Sequence, residues 1–307
     1  MPEGHSVHRL AAQLGDVFDG QLLAVTSPQG RFRDGAAMLD GRRLTGSRAH
    51  GKQLYLQLSA PDRDPLILRS HLGLYGAWSF VGDDRFRAAS SIGAPRRVGE
   101  REVGGCAQAV ERDGDGRVIP DEPVGAVRVR LAGVHGWADL RGPTLCTVET
   151  PEEAALAEAK LGPDPLDPDA DPELFAHSVA RSGRPIAVLL MEQSVVAGIG
   201  NIFRAESLYR QGIDPFLPGR EVPPEALEAL WAENVELMRI GVRLGRIITT
   251  DPQDRPGVSQ TAARRADAHY VYGRAGQPCR RCGATVQRQE LAGRALFWCP
   301  VCQPPAS

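Results

Sequence analysis

Lysine is nearly absent from this 307-residue chain: of its 36 basic residues only Lys52 and Lys160 are lysines, and the rest are arginine. Arginine keeps its charge at any physiological pH, whereas lysine gives up a proton when its surroundings lower its pKa. A lysine kept at position 52 in such a chain is a candidate for proton transfer, although chance retention would also explain it. Long apolar runs are missing as well. The longest, 186–203, is broken by Glu192, Gln193 and Asn201, and the N-terminus begins Pro-Glu-Gly-His without an apolar signal core, so neither a membrane span nor a secretory signal is expected. A cytoplasmic protein is the default. Strong net charge is missing too: at −2, a polyanionic partner would have to be met by local patches. A hydrophobic share of 42% and a charged share of 24% exclude wholesale disorder, and the length suits two or three folded units.

One basic patch is present. From Arg255 onward eight arginines (255, 264, 265, 274, 280, 281, 288 and 294) face only Asp267 and Glu290. Such an excess reads either as a solvated tail or as a phosphate-binding surface.

Ser6 precedes an apolar pattern at Val7, Leu10, Ala11, Leu14, Val17 and Phe18, which lies on one face of a helix and leaves Pro2 and Glu3 just ahead of the helix start. Between 21 and 140 the pattern becomes short β-type runs at 22–25, 53–58, 66–68 and 127–131, separated by Gly, Pro and Asp, as in a β-sandwich or flattened barrel. Residues 81–125 are rich in Arg, Gly, Asp and Ala and read as a long mobile insertion without a catalytic part. A Pro/Asp-rich connector at 163–172 leads into helical periodicity at 173–179, 186–196 and 202–209, and a further helix is expected over about 224–244, with Pro223 and Pro224 suited to its first turn. The organisation expected is α+β and multidomain: an N-terminal β-sandwich with a flanking helix (2–150), a helical domain (151–265) and a C-terminal zinc ribbon (266–307).

The ribbon is the most specific signal. Cys279-x2-Cys282 and Cys299-x2-Cys302 are separated by sixteen residues, the spacing of four thiolates around one tetrahedral structural zinc. Two disulfides would use the same cysteines, but the missing secretion signal favours a reducing compartment and zinc. With all four positions taken by protein, such a metal holds structure and performs no chemistry. Cys106 and Cys146 are left as plain thiols.

Two weaker signals stand beside it. Gly198-Ile199-Gly200-Asn201 lies between helical stretches; it makes either a hairpin turn with a capping Asn or a helix N-terminus that receives a phosphate. Removal of the initiator methionine would leave Pro2 as a free secondary amine, with Glu3 beside it to carry a proton. An α-amine titrates near neutrality and is partly nucleophilic there, although a frayed terminus would look the same.

Taken in order, Pro2-Glu3-Gly4, Gly51-Lys52, Ser70-His71 with Leu74-Tyr75-Gly76, Leu161-Gly162-Pro163-Asp164, Gly198-Ile199-Gly200-Asn201 and the Arg294-bearing ribbon resemble the formamidopyrimidine-DNA glycosylase and endonuclease VIII family over nearly the whole chain. The resemblance implies a helix-two-turn-helix in the helical domain and a bifunctional DNA glycosylase and abasic-site lyase of base-excision repair. In that reading Pro2 attacks C1′, Glu3 donates a proton to the deoxyribose, Lys52 serves the β-elimination, and Arg294 holds the flanking phosphates and assists the δ-elimination. His71, Lys160 and Asn201 would contact DNA, while Leu74 and Tyr75 would fill the gap left by the flipped base; without the resemblance, those two read equally as buried strand residues.

The Leu-Tyr pair is similar to the endonuclease VIII wedge and points to oxidised pyrimidines, with an oxidised-purine enzyme and a non-catalytic DNA-binding protein as alternatives. A zinc ribbon of a transcription or translation factor would explain the cysteines alone. Damaged DNA is the expected partner, with one structural Zn2+, a monomeric state and work at the nucleoid. Three departures from the family pattern stand out: Gly73 replaces the wedge glutamine, Lys160 replaces an arginine, and the 81–125 stretch is long for either branch.

Overall fold

The computed structural model describes residues 2–94, 107–114, 116, 118–255 and 259–305. The chain divides into two compact units, Met1–Ala159 and Lys160–Ser307. Among the described residues no helix is long and apolar enough to cross a membrane.

The first unit opens with helix α1 (Gly4–Phe18), which begins two residues ahead of Ser6, with Glu3 in the extended N-cap position. Its buried face is the expected one: Val7, Leu10, Ala11, Leu14, Val17 and Phe18. Then follow β1 (Leu22–Thr26), the short helix α2 (Arg33–Leu39), β2 (Arg42–His50), β3 (Gln53–Ala60), β4 (Arg63–His71), β5 (Ala77–Gly82) and β6 (Ser91–Gly93). The small pair β7 (Glu111–Arg112) and β8 (Val118–Ile119) precedes β9 (Val127–Ala132), β10 (Gly136–Arg141), β11 (Leu145–Glu149) and helix α3 (Pro151–Glu158). A capping box between Thr150 and Glu153 starts α3.

Nine strands are hydrogen-bonded in the order β11-β4-β3-β2-β1-β9-β10-β5-β6. In a flat sheet β4 and β5 would lie six strand spacings apart, about 29 Å. The five residues 72–76 that join them reach at most about 21 Å even when extended, and the three residues from β10 to β11 reach less. The row must therefore fold over at β1 into two layers. Leu23, Leu44, Leu56, Leu68, Trp78, Phe80, Leu131 and Leu140 form the core between them, together with Leu10, Leu14 and Phe18 of α1.

The 81–125 stretch departs from expectation. Phe86 and Ile92 belong to the core, with the Phe86 ring set edge-on to Phe18 at 5.4 Å, and β6 is an edge strand of the main sheet. Arg112 bonds Asp83 and the Val134 carbonyl, while Arg130 and Arg141 hold the carbonyls of Asp121 and Val124 at 2.7 and 2.6 Å. Sparse apolar residues among many arginines hid these anchors. Within this stretch Arg96, Arg97, Arg101 and Arg117 lie outside the described residues, as does Cys106, and Arg112 is engaged by Asp83.

The second unit contains α4 (Pro172–Ala180), α5 (Ile186–Leu189), α6 (Asn201–Arg210), α7 (Pro224–Leu244) and the hairpin of β12 (Gln287–Leu291) and β13 (Arg294–Trp298). Helix α7 starts at Pro224 and ends at Gly245, whose φ of 68° supplies the left-handed cap. The helical run expected to Val196 stops at Leu189. Beyond it the chain turns tightly through bonds from Met191 N to Val188 O and from Val195 N to Glu192 O, so the apolar residues at 195, 196 and 199 enter the core from turns.

His5, buried in α1, gives the first unit a dependence on pH. Burial, then the positive charges of the N-terminal ammonium, Arg9 and His8, lower its pKa from 6.5 to about 3. Below pH 6.5 the unfolded chain binds a proton at His5 that the folded chain refuses. The residue's contribution is therefore full above pH 6.5 and is lost as pH falls towards 3, at up to about 1.4 kcal/mol per unit. Urea unfolding at pH 7 and pH 5 should show the parent losing about 1–2 kcal/mol more than His5→Gln; equal losses in the two proteins would mean that His5 is protonated in the fold.

Candidate functional site

In the first unit the sequence-predicted residues stand just ahead of α1 and at one end of the β2-β3-β4 layer. Pro2 is buried, and Glu3 has none of its surface exposed. A carboxylate at a helix start is favoured by the partial positive charge of the helix N-terminus. Helix α1 packs on β2 and β3, and the Ser47 hydroxyl donates to Ala11 O at 2.7 Å.

Lys52 sits in the two-residue turn joining β2 to β3, between the paired residues His50 and Gln53. Gly51 has φ +58° while Lys52 does not take a positive φ, which makes the turn type II′, with glycine at its required first position. Gln53 pairs with His71 on β4, so the lysine turn and His71 share one end of the sheet.

Burial first, and then the charges of Lys52 and Arg69, push the His71 pKa down, which leaves the ring neutral at neutral pH. The Gly73 N–H donates to His71 Nδ1 at 3.1 Å, and the Thr144 hydroxyl lies 2.8 Å from the same nitrogen. With Nδ1 accepting, the ring proton is assigned to Nε2, and His71 is a neutral donor through that atom.

Immediately after it, 72–76 form a tight loop closed by Gly76 N to Leu72 O at 2.9 Å. Gly73 has φ +66°, and a Cβ on Gly76 would lie 2.2 Å from Leu72 O, so both glycines are required by this loop. At its tip Leu74 and Tyr75 are 41% and 83% exposed, which excludes their reading as buried strand residues. A leucine and a tyrosine are thus held out in water side by side on a glycine-braced loop.

In the second unit, Gly162 and Pro163 bond the turn before α6: Gly162 N donates to Gln193 O at 2.8 Å and Ala197 N to Pro163 O at 3.0 Å. The Gln193 side chain braces the glycine turn, accepting from Gly198 N at 3.1 Å and donating to Ile199 O at 3.0 Å. Gly198 takes φ +88° there, as the sequence suggested for this junction. Asn201, the first residue of α6, is only 7% exposed, and its amide donates to Ala295 O at 2.9 Å. Lys160, at the start of this unit, is exposed.

Sequence reasoning missed three α6 residues. Arg204 is 1% exposed and donates to Asn201 Oδ1 and, at 3.1 Å, to Ala295 O. The buried Glu206 carboxylate accepts from the backbone N–H groups of Tyr270, Val271 and Tyr272 at 2.7–2.8 Å and from the Thr249 hydroxyl. Tyr209 stacks on Tyr270 at 4.9 Å and places its hydroxyl 3.1 Å from Cys279 Sγ. These residues fall on the expected helical period, but a charged residue in an amphipathic helix ordinarily signals a solvated face, and their partners lie far along the chain.

The four ribbon cysteines are free thiols whose sulfurs all lie within 4.8 Å of one another. Cys279 and Cys302 are 3.8 Å apart and Cys282 and Cys299 3.4 Å, too far for disulfides and close to the roughly 3.8 Å edge of a tetrahedron with Zn–S bonds of about 2.3 Å. The donor set fits one structural zinc, and the Tyr209 hydroxyl is placed to donate to the Cys279 thiolate. Arg294 follows the two-residue turn Ala292-Gly293, where φ values of 50° and 72° define a type I′ turn, and its side chain is exposed. Cys146, on β11, is a half-buried thiol whose pKa is pushed up to about 12 by burial, against a smaller lowering by Arg128, which keeps it protonated at neutral pH.

Residues 1–104 match the formamidopyrimidine-DNA glycosylase N-terminal domain, 161–253 the formamidopyrimidine-DNA glycosylase H2TH domain, and 276–305 the zinc finger found in FPG and IleRS. Endonuclease 8 1 of Mycobacterium tuberculosis is 40% identical over 303 residues, covering 99% of this chain and 100% of that protein. A formamidopyrimidine-DNA glycosylase of Synechococcus sp. is 40% identical over 184 residues, covering 60% and 62%.

Among solved structures, wild-type Lactococcus lactis Fpg with DNA containing N7-benzyl-Fapy-dG superposes with a TM-score of 0.70 at 22% identity, over 99% of this chain and 100% of that one. Lactococcus lactis Fpg with abasic-site DNA gives 0.69 at 23%, over 98% and 99%. At this identity the structures establish the fold alone. The chain belongs to the formamidopyrimidine-DNA glycosylase and endonuclease VIII family, a family of DNA glycosylases that are also abasic-site lyases.

The metal's task is open to direct measurement. Cys279→Ser should reduce bound zinc from one equivalent to a minor fraction and destabilise the second unit, while the melting of the first unit, with its separate core, stays in place. Full zinc occupancy in the variant, measured by atomic absorption, would remove Cys279 from the ligand set.

Proposed function

We propose that this protein excises oxidised bases from DNA, pyrimidines above all, and then cleaves the strand at the resulting abasic site, with Pro2 as nucleophile. The observation that carries the reading is Pro2-Glu3 buried at the start of α1, in a chain that matches endonuclease 8 proteins along its whole length. The secondary amine of Pro2 forms a bond to C1′ as the base leaves. Glu3 gives a proton to the deoxyribose ring oxygen, opening the ring to an iminium. The iminium acidifies C2′, and loss of that proton expels the 3′ phosphate; a second elimination releases the sugar remnant from the 5′ phosphate. Lys52 moves the proton in the first elimination, and its neighbour His71 binds a DNA phosphate through Nε2–H.

The wedge of Leu74 and Tyr75 occupies the space left by the flipped nucleotide, whose unstacking costs a few kcal/mol. Its resemblance to the endonuclease VIII loop supports pyrimidines. Lys160 adds a point-charge contact to the backbone. The N-terminus of α6, where Asn201 stands, receives a backbone phosphate, and Arg294 holds the phosphates flanking the lesion and assists the second elimination. The reaction requires no second copy of the chain, and its place of work is the nucleoid.

Borohydride trapping on abasic-site DNA tests the chemistry. With Met1 shown by mass to be absent, a covalent adduct mapping to residue 2 is expected from the parent, greatly reduced trapping from Pro2→Gly, and none when an N-terminal extension blocks the amine. A correctly processed, zinc-loaded, DNA-binding protein that gives no adduct would instead be a non-catalytic binder. The same preparation should release thymine glycol faster than formamidopyrimidine; the reverse order would place it with the oxidised-purine enzymes.

A further inference from the structure

We propose that Arg204 is a positioning residue for Arg294, acting through the carbonyl of Ala295. The inference rests on the role given to Arg294 above. Leu291 and Arg294 flank the type I′ turn and form the hydrogen-bonded pair that closes it. The next pair, Glu290 with Ala295, is a non-hydrogen-bonded one, so the Ala295 carbonyl points away from β12 and is open to an outside donor.

Helix α6 supplies two donors: Arg204 Nη2 at 3.1 Å and Asn201 Nδ2 at 2.9 Å. Arg204 also donates to Asn201 Oδ1, which fixes the amide's orientation, and Nη1 reaches Ala187 O at 3.4 Å. One buried guanidinium thus joins α5, the first turn of α6 and the residue next to Arg294. Leu291 and Leu296 seat the hairpin on the apolar core of the second unit, and the tether adds a directional hold on the backbone beside Arg294. The tether keeps the exposed Arg294 side chain in a fixed relation to the α6 N-terminus, so that two phosphate contacts hold one geometry. A lysine has the charge but lacks the planar fork needed to serve Ala295, Asn201 and Ala187 together.

The test is a double-mutant cycle on abasic-site DNA, using Arg204→Lys, Arg294→Ala and the double variant in the zinc-loaded full chain, with the ratio of δ- to β-elimination product, KM and the rate of borohydride trapping as readouts. Arg204→Lys should lower the δ/β ratio and raise KM by about fivefold to tenfold, as expected for one or two lost hydrogen bonds, with zinc content and trapping rate close to parental. The double variant should be no worse than Arg294→Ala alone. Effects that multiply, or an unchanged δ/β ratio in Arg204→Lys where Arg294→Ala lowers it, would overturn the inference. An unchanged ratio in Arg294→Ala would overturn the role of Arg294 itself. Should Arg204→Lys lose zinc or fail to fold, Arg204→Met, which keeps the length of the buried side chain and removes its donors to Ala295, Asn201 and Ala187, takes its place in the cycle with the same two outcomes.

Discussion

A carboxylate with none of its surface exposed, that of Glu206, holds the second unit together. It accepts three successive backbone N–H bonds, from Tyr270, Val271 and Tyr272, and a fourth from Thr249. A buried charge is tolerable only when its hydrogen-bonding capacity is filled, and here backbone groups fill it. The bonds join α6 to the chain just beyond α7 and to the bend at 270–272 that leads into the zinc knuckles. Around this point the same helix contributes Asn201 and Arg204 to the ribbon hairpin and Tyr209 to a metal ligand. Without the carboxylate, three consecutive backbone donors would lose their acceptor, at about 1–3 kcal/mol for each of the two buried ones, Tyr270 and Val271. The zinc site fixes the ribbon internally; α6 fixes where the ribbon stands in its unit.

The first unit solves a different problem, that of presenting short side chains and exposed apolar ones on a rigid edge. Folding the nine-strand row at β1 brings β4 next to its short connection to β5, and β10 next to its connection to β11, so the edge is built from tight loops. Each loop is set by glycine where the geometry demands it: Gly51 ahead of Lys52, Gly73 and Gly76 around the wedge. Leu74 and Tyr75 gain little from burial at the tip of their loop, and under the proposed function they are kept for the DNA.

What could be read from the sequence was whatever depends on local spacing. The Cys-x2-Cys pairs, the apolar face of α1 and the proline start of α7 need no knowledge of distant contacts. The limits were equally physical. Periodicity alone carried the helix at 186 through to Val196, because residues buried from successive turns repeat much as a helix does. Phe86 and Ile92 are single large apolar residues in a stretch whose average composition is that of a loop, so their packing against Phe18 and the sheet was invisible. The Asn201 side chain was read from the family pattern as a phosphate ligand; its bond to Ala295, 94 residues away, became apparent only in three dimensions.

The scarcity of lysine also gains a physical explanation. Across the fold arginine serves as a backbone fastener: Arg42 binds Met38 and Asp64 carbonyls, Arg246 those of Ala263 and Gln260, Arg274 those of Tyr270 and Pro278, and Arg280 those of His269 and Ala266. Each contact uses the planar fork to span two acceptors at once, a task for which a lysine ammonium is poorly shaped. Lys52 stands outside that pattern, in a two-residue turn beside a histidine whose own pKa is lowered by burial and by the lysine's charge. Keeping His71 neutral removes a competing cation from the neighbourhood of Lys52. Under the proposed chemistry position 52 has to carry a proton, a task that a guanidinium, charged at every physiological pH, does not perform.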